Sequence, residues 1–174
     1  MNAKLKMGNI EVVLGDITKL DIDGIVNAAN TTLLGGGGVD GTIHRTAGPQ
    51  LLEECRKLGG CETGGAKITP GYRLPARFII HTVGPVWKGG QSKESELLKS
   101  CYQRCLKIAS DQGLKSIAFP CISTGAYRFP HDLAARIAVK TVLEYLKSHS
   151  DFEKVIFVCF SQDDYTIYRS LLPM

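Results

Sequence analysis

Two polar loops carry the residues that could do chemistry in this chain. In the first, Asn27-Ala28-Ala29-Asn30 leads through Thr31-Thr32-Leu33-Leu34 into four glycines, Gly35 to Gly38, and then Val39-Asp40-Gly41. In the second, Ser123-Thr124-Gly125-Ala126-Tyr127 follows the apolar run Ile117-Ala118-Phe119. Glycine-rich backbone running into a helix presents unpaired N–H groups at the positive end of the helix dipole, which suits an anion. Two such loops in one small domain point to a ligand with more than one phosphate. Asn30 can hold a hydroxyl-rich ligand, because its amide both donates and accepts. Asp40 is the carboxylate best placed to polarise a water, and in the first turn of a helix it is expected to stay ionised. Tyr127 can cover a sugar and exclude water. Asp16 can accept from an exocyclic amine, and Phe160 can stack on a base.

Each of these residues also has a purely structural reading. Asp40 suits an N-cap or first-turn acid, and Asp16 a cap for the turn at Ile17-Thr18. Asn27 and Asn30 can simply satisfy loop backbone. His44, one turn past Asp40, reads as structural, His81 as core, and Phe160 as ordinary core at the end of a strand. Four consecutive glycines can be a floppy surface turn, but glycine is costly in backbone entropy. A run of four opening an amphipathic helix fits better if a phosphate approaches closely. Gly36, Gly38 and Gly41 satisfy G-x-G-x-x-G, yet Asn30 to Leu34 separate strand from glycines, so the dinucleotide fingerprint is rejected. No Gly-Lys-Ser/Thr follows a glycine loop and no G-x-S-x-G occurs, which removes the Walker motif and the nucleophile elbow.

The elements that must position these loops are legible as an alternation. Short β-branched runs predict buried strands at 10–14 (an earlier start near Lys4 stays open), 24–28, 66–70, 78–83, 116–119 and 155–160. Leu97, Leu98, Cys101, Cys105, Ile108 and Ala109 form one helical stripe between Lys93 and Asp111, with Ser92 as N-cap and Gly113 as stop. Leu133, Ile137, Ala138, Thr141, Val142 and Tyr145 form another, with Pro130 near its first turn. Shorter helices are expected over 39–46, 50–58 and 163–172. Strands alternating with helices predict an α/β layered sheet with helices on both faces and ligands beyond the carboxyl ends of central strands.

Bulk properties narrow the classes. At 174 residues the chain is expected to be a single domain, residues 1–174, that buries about 70% of its unfolded surface without disulfide or metal. The formal charge of +4 is mild, and no Lys/Arg cluster reaches nucleic-acid density, so no nucleic-acid partner is expected. No apolar run is long enough to span a membrane, and Met1 to Lys6 shows no signal peptide. The six cysteines are therefore expected to be reduced thiols of a cytoplasmic protein. Cys55, Cys61 and His44 lack regular ligand spacing, and no metal or other cofactor is expected.

Together these residues resemble a macrodomain of the MacroD type. The resemblance runs from Gly15-Asp16-Ile17-Thr18 to Phe160. It is carried by Val26-Asn27-Ala28-Ala29-Asn30, by Gly35 to Gly41 with Ile43-His44, by His81-Thr82-Val83-Gly84-Pro85-Val86-Trp87, and by Ile122-Ser123-Thr124-Gly125-Ala126-Tyr127. It implies a three-layer α/β/α sandwich around a six-stranded mixed sheet, with ADP-ribose as the ligand. It places Asp16 on the adenine amine, the backbone of Ile17 and the ring of Phe160 against the adenine, and Asn30 and Tyr127 at the distal ribose. Gly36, Gly37, Gly38 and Val39, with Ser123, Thr124, Gly125, Ala126 and Tyr127, would wrap the diphosphate, and Asp40 and Asn30 would carry the chemistry. The implied activity is hydrolysis of esters on the distal ribose, both in O-acetyl-ADP-ribose and in proteins carrying mono-ADP-ribose on Asp or Glu. The partners are then ADP-ribose-containing small molecules and modified proteins, met by a monomer. The base is Asp40 or a phosphate of the substrate. Three rivals share the pocket or the fold: a non-catalytic ADP-ribose reader, a phosphatase of phosphorylated ADP-ribose, and a regulatory protein-binding domain.

Overall fold

The computed structural model describes residues 9–172. Along the chain run β1 (Ile10–Leu14), a 3-10 turn (Ile17–Lys19), β2 (Gly24–Ala29), α1 (Gly38–Ala47), α2 (Pro49–Leu58), β3 (Ala66–Pro70) and β4 (Phe78–Val83). They are followed by α3 (Glu94–Asp111), β5 (Ser116–Phe119), α4 (His131–Ser148), β6 (Lys154–Cys159) and α5 (Gln162–Leu171). The six strands form one sheet in the order β1-β6-β5-β2-β4-β3. All neighbours are parallel except β3, which runs antiparallel to β4.

Side chains alternate across the sheet and separate two cores. Val12, Val26, Ile80, Ile117, Phe119 and Phe157 face α3, α4 and α5, where they meet Leu98, Leu106, Ala138, Val142 and Tyr168. Ile25, Ala29, Ile79, Val83, Ala118 and Ile156 face the other way, onto Ile17, Ile43, Ala47 and Leu51 from the 3-10 turn, α1 and α2. Each large aliphatic side chain buried this way contributes about 1.5–3 kcal/mol, so both faces are anchored. The result is the expected three-layer α/β/α sandwich on a mixed six-stranded sheet.

One irregularity in the sheet makes the site. Strand β2 pairs with β4 along its whole length, Gly24 to Ala29. With β5 it pairs only at Gly24↔Ile117 and Ile25↔Ala118. Beyond that point no further β2–β5 register pair occurs among the described residues, toward the carboxyl ends of both strands. Both polar loops leave the sheet there, one after β2 and one after β5.

Local boundaries correct the sequence reading in a few places. Strand β2 continues to Ala29, and β6 ends at Cys159, so Phe160 lies outside it. Phe160 is 94% exposed, which removes the ordinary-core reading. The start of β1 near Lys4 falls outside the described residues. Ser92 does not cap α3; Lys93 does, in a left-handed conformation and without a side-chain cap bond. The N–H of Ser92 instead donates to the Glu94 carboxylate, as do those of Lys88 and Gly90.

That carboxylate holds the turn that follows Trp87. Burial acts to raise its pKa, but the N–H groups of Lys88, Gly90 and Ser92 outweigh it and bring Glu94 down from 4.5 to about 2. A depressed carboxylate pKa stabilises the fold fully above the unfolded value and less as pH falls toward the folded one. Glu94→Gln should therefore melt at a lower temperature than the parent at neutral pH. The gap should close on acidification, since the parent loses its advantage between the two pKa values. Thermal denaturation across that pH range reads the effect; a gap independent of pH would mean that the charge is not what anchors the turn.

Candidate active site

The first loop is folded down onto the helix it feeds. Gly35 and Gly38 take left-handed φ values of 92° and 57°, which only glycine adopts cheaply. A Cβ at Gly41 would collide with the Gly36 carbonyl oxygen, so Gly41 is what lets the loop lie on α1. A Cβ at Gly36 would sit 3.2 Å from Asp40 Oδ2 and 3.4 Å from Asn30 Nδ2. Gly36 thus lies between the two groups named for chemistry. Gly35 faces the His44 ring, while a Cβ at Gly37 or Gly38 would meet no other atom within 4 Å. Gly37 caps α1 without a side chain, so the first-turn N–H groups, including that of Val39, keep their donors.

Asp40 is not an exposed first-turn acid; it is 4% exposed. Its Oδ1 accepts from Asn27 Nδ2 at 2.8 Å and lies 3.5 Å from His44 Nε2. Its Oδ2 takes no hydrogen bond among the described residues and borders Gly36. Burial raises the Asp40 pKa above 3.8, and the Asn27 bond and His44 oppose that rise. The expectation of a simply ionised carboxylate thus becomes one of a buried carboxylate stabilised by specific partners.

Asn27 is the residue the sequence reading placed least well. It sits within β2 rather than at its end, fully buried, and does not satisfy loop backbone. Its amide nitrogen bridges Asp40 Oδ1 and His81 Nδ1, the latter at 3.1 Å. His81 lies directly opposite Asn27 in the β2/β4 register. Burial, with a smaller effect of the His44 charge, pushes the His81 pKa down to about 3, so it is a neutral ring. His81 is buried as expected, but as part of a polar network. His44 was legible: it is four residues past Asp40 on one helix face. The Asn27–His81 pair left no local trace, because strand register joins residues 54 apart in sequence.

Asn30 spends much of its hydrogen bonding on its own loop. Its Oδ1 accepts from Thr32 N at 3.2 Å, Thr32 Oγ1 at 2.7 Å and Leu33 N at 3.2 Å, and its Nδ2 donates to Gly35 O at 3.0 Å. The acceptor side is therefore occupied. One Nδ2 hydrogen remains, on the side that faces Gly36 and Asp40.

The second loop is braced from the strand β4 extension. Trp87 N donates to Tyr127 O at 2.8 Å, and the Trp87 ring packs on buried Phe129 with centroids 4.8 Å apart. Phe129 N closes the loop onto Ser123 O at 2.9 Å, Arg128 N bonds Gly125 O, and Thr124 Oγ1 bonds Cys121 O. Ser123 holds a left-handed φ of 68°, an unfavourable state for a non-glycine residue that clusters at ligand sites. Its Oγ is buried without a hydrogen-bond partner among the described residues. A Cβ at Gly84 would collide with that Oγ, so Gly84, named above only within the 81–87 stretch, also shapes this loop. The loop does not run straight into α4, which begins at His131; its free groups at Thr124 to Tyr127 are loop amides rather than a helix N-terminus.

The third group of expected residues lies where β1 and β6 end. Asp16 caps the 3-10 turn through Oδ1, which accepts from Thr18 N at 2.9 Å and Thr18 Oγ1 at 2.6 Å. The two Thr18 bonds, side chain first, lower its pKa. Oδ2 is left for another donor, so the capping and binding readings are compatible. Ile17 buries its side chain, so only its backbone can face a ligand. Gly15 N bonds Cys159 O, which brings the Asp16 turn beside exposed Phe160. All six cysteines are free, and the described residues hold no cluster of three or more His, Cys, Asp or Glu able to bind a metal.

Comparison with known proteins agrees with this architecture. The sequence profile of the macro domain family matches residues 26–138. Macro domain-containing protein CT2219 of Chlorobaculum tepidum is 61% identical over 94% of this chain and 95% of its own length. The O-acetyl-ADP-ribose deacetylase of Escherichia fergusonii is 54% identical, and the match covers 94% of each chain. The ADP-ribose glycohydrolase MACROD2 of Xenopus laevis is 56% identical over 91% of this chain, which spans 38% of that longer protein. Among solved structures, a variant of the Oceanobacillus iheyensis macrodomain with ADPR has a TM-score of 0.90 at 46% identity, covering 93% of this chain and 90% of that one.

The close approach at Gly41 gives a direct test of the loop geometry. Gly41→Ala should lower stability by about 1–3 kcal/mol in spite of alanine's better helix propensity, because the methyl group overpacks a backbone carbonyl. Urea unfolding measures this. A variant as stable as the parent, or more stable, would place the Gly36 carbonyl elsewhere.

Proposed function

This chain belongs to the macro domain family, and from that premise we propose that it is a hydrolase that binds ADP-ribose and cleaves esters on its distal ribose. The substrates are O-acetyl-ADP-ribose and proteins carrying single ADP-ribose units on Asp or Glu. The observation that carries the reading is the pairing of buried Asp40 with Asn30 across Gly36, in the glycine loop that opens α1. A binding module needs the loops but not a buried carboxylate with one unpaired oxygen facing the sugar end.

The residues divide the work. The amides of Gly37 to Val39 and of Thr124 to Tyr127 hold the two phosphates from either side of the crevice. Asp16 Oδ2 and the backbone of Ile17 take the adenine, with Phe160 against its face. The remaining Nδ2 hydrogen of Asn30 donates to a distal ribose hydroxyl and fixes the sugar. Tyr127, braced through Trp87, closes over the sugar and excludes bulk water.

Asp40 Oδ2 holds a water and accepts its proton as the water oxygen attacks the acyl carbon. The acyl–oxygen bond breaks, the ribose oxygen leaves with the proton that Asp40 took, and a carboxylic acid is released while the Asp40 carboxylate is regenerated. Such a base contributes about 10²–10⁴-fold, and orientation within the crevice supplies the larger share. Because burial raises the Asp40 pKa above 3.8, the rate should fall as pH drops through that raised value.

Asp40→Ala should retain ADP-ribose binding by calorimetry and lose about 10²–10⁴-fold in acetate release from O-acetyl-ADP-ribose. It should lose release from an aspartyl-ADP-ribosylated protein in parallel. Equal turnover in variant and parent would remove Asp40 from the reaction. Binding without turnover in the parent would make the protein a reader, and phosphate as the only product from a phosphorylated ADP-ribose would make it a phosphatase.

A further inference from the structure

The polar chain behind Asp40 does not end at Asn27. His81 Nε2 lies 3.0 Å from Thr69 Oγ1 on β3, and Thr69 Oγ1 lies 3.2 Å from its acceptor, the Pro70 carbonyl oxygen. Thr69 is 2% exposed, and His81 and Asn27 are fully buried. Water does not reach these atoms, so each hydrogen must be placed by its neighbours.

With Asp40 ionised, one placement gives every hydrogen of this polar chain an acceptor. An ionised Asp40 can only accept, so the amide atom 2.8 Å from its Oδ1 must be the NH₂ of Asn27. The second hydrogen of that NH₂ points to His81 Nδ1, which must then be the bare ring nitrogen. A neutral ring with Nδ1 bare carries its hydrogen on Nε2 and donates it to Thr69 Oγ1. The Thr69 hydroxyl, having accepted, donates onward to Pro70 O. Cys55 Sγ, 4.0 Å from Nε2, is a weak second acceptor. Burial, then the charges of Asp40 and Glu54, pushes the Cys55 thiol up to about 11, so it stays neutral.

We propose that Thr69, acting through the tautomer of His81, fixes which end of the Asn27 amide faces Asp40, and that Thr69 and His81 are thereby positioning residues for the catalytic carboxylate. This rests on the role given to Asp40 above. If Thr69 could not accept, the ring would lose the partner that keeps its hydrogen on Nε2. With the hydrogen on Nδ1, His81 would donate toward Asn27, and the amide would turn its Oδ1 to His81 and to Asp40. A carbonyl oxygen against a carboxylate disfavours the charged form of Asp40, and the water would lose its base. The unpartnered, buried Asn27 Oδ1 shows that the observed amide orientation is held by its NH₂ side alone. The titratable groups packed around Asp40 are His44 on its own helix, Cys55 on α2 and His81 on β4.

The test uses nitrogen and carbon NMR on the whole chain, with turnover as a separate arm. In the parent, His81 Nδ1 should be the unprotonated nitrogen and Nε2 the protonated one; the reverse would overturn the proposal without any variant. Thr69→Val keeps the shape and removes the acceptor. It should move the hydrogen to Nδ1 and raise the titration midpoint of the Asp40 carboxyl by about one pH unit or more. Thr69→Ser should restore both values. In turnover assays Thr69→Val should move the acidic limb of kcat upward by the same amount with KM little changed, which a merely structural role would not do. A Thr69→Val protein that folds with His81 and Asp40 as in the parent would refute the relay. A protein that turns nothing over, yet shows the predicted tautomer and midpoint, would refute the hydrolase reading and leave the relay standing.

Discussion

A carboxylate placed inside a sheet–helix interface is the constraint that the rest of this structure serves. Removing such a charge from water costs several kcal/mol even after relaxation, and the cost is tolerable only with donors in place. Asp40 has Asn27 at 2.8 Å and His44 at 3.5 Å on one oxygen and no hydrogen bond among the described residues on the other. The donor comes from the middle of β2, the imidazole from the next turn of α1, and the orientation of the donor from β3 and β4. Four elements thus converge on one oxygen so that the second stays free.

The sheet supplies the space those groups act on. β2 and β5 are neighbours that pair over only two residues, and the two polar loops follow their carboxyl ends. The first loop lies low on α1, since Gly41 offers no side chain to hold it off. The second is strapped to the end of β4 through Trp87 and Tyr127, and the turn after Trp87 is fixed in turn by Glu94. In the proposed function binding and chemistry are linked, because the glycine loop with amides at Gly37 to Val39 also seats Gly36 beside Asn30 and Asp40.

Most of the architecture was legible in the residues because burial on both faces writes strands as short β-branched runs. Strands β3, β4 and β5 match the expected spans, and the helical stripes marked α3 and α4 to within a few residues. What failed were local details decided by competition. Ser92 has good capping chemistry, but the Glu94 side chain takes its N–H, and the cap passes to Lys93. Phe160 was placed at a strand end and proves to stand in solvent.

The candidate site was legible as a set of loops and less so as a network. Asp40 and Asn30 could be named from their places beside the glycines, and His44 from its spacing on the helix. Asn30 was expected both to donate and to accept, yet its oxygen is taken up by Thr32 and Leu33, as only the folded turn reveals. Asn27, His81 and Thr69 come from three strands whose register brings them together, and no local pattern encodes such a meeting. Gly84 and Gly41 stood within the named motifs, but what each admits, the Ser123 hydroxyl and the Gly36 carbonyl, is set by tertiary contacts that the sequence does not display.

Diffraction from crystals of this protein soaked with ADP-ribose tests the central claim most directly. The diphosphate should lie between the amides of Gly37 to Val39 and those of Thr124 to Tyr127, with the distal ribose against Asn30 Nδ2 and a water on Asp40 Oδ2. A nucleotide bound outside the crevice, or a sugar turned away from a carboxylate that no water reaches, would contradict it.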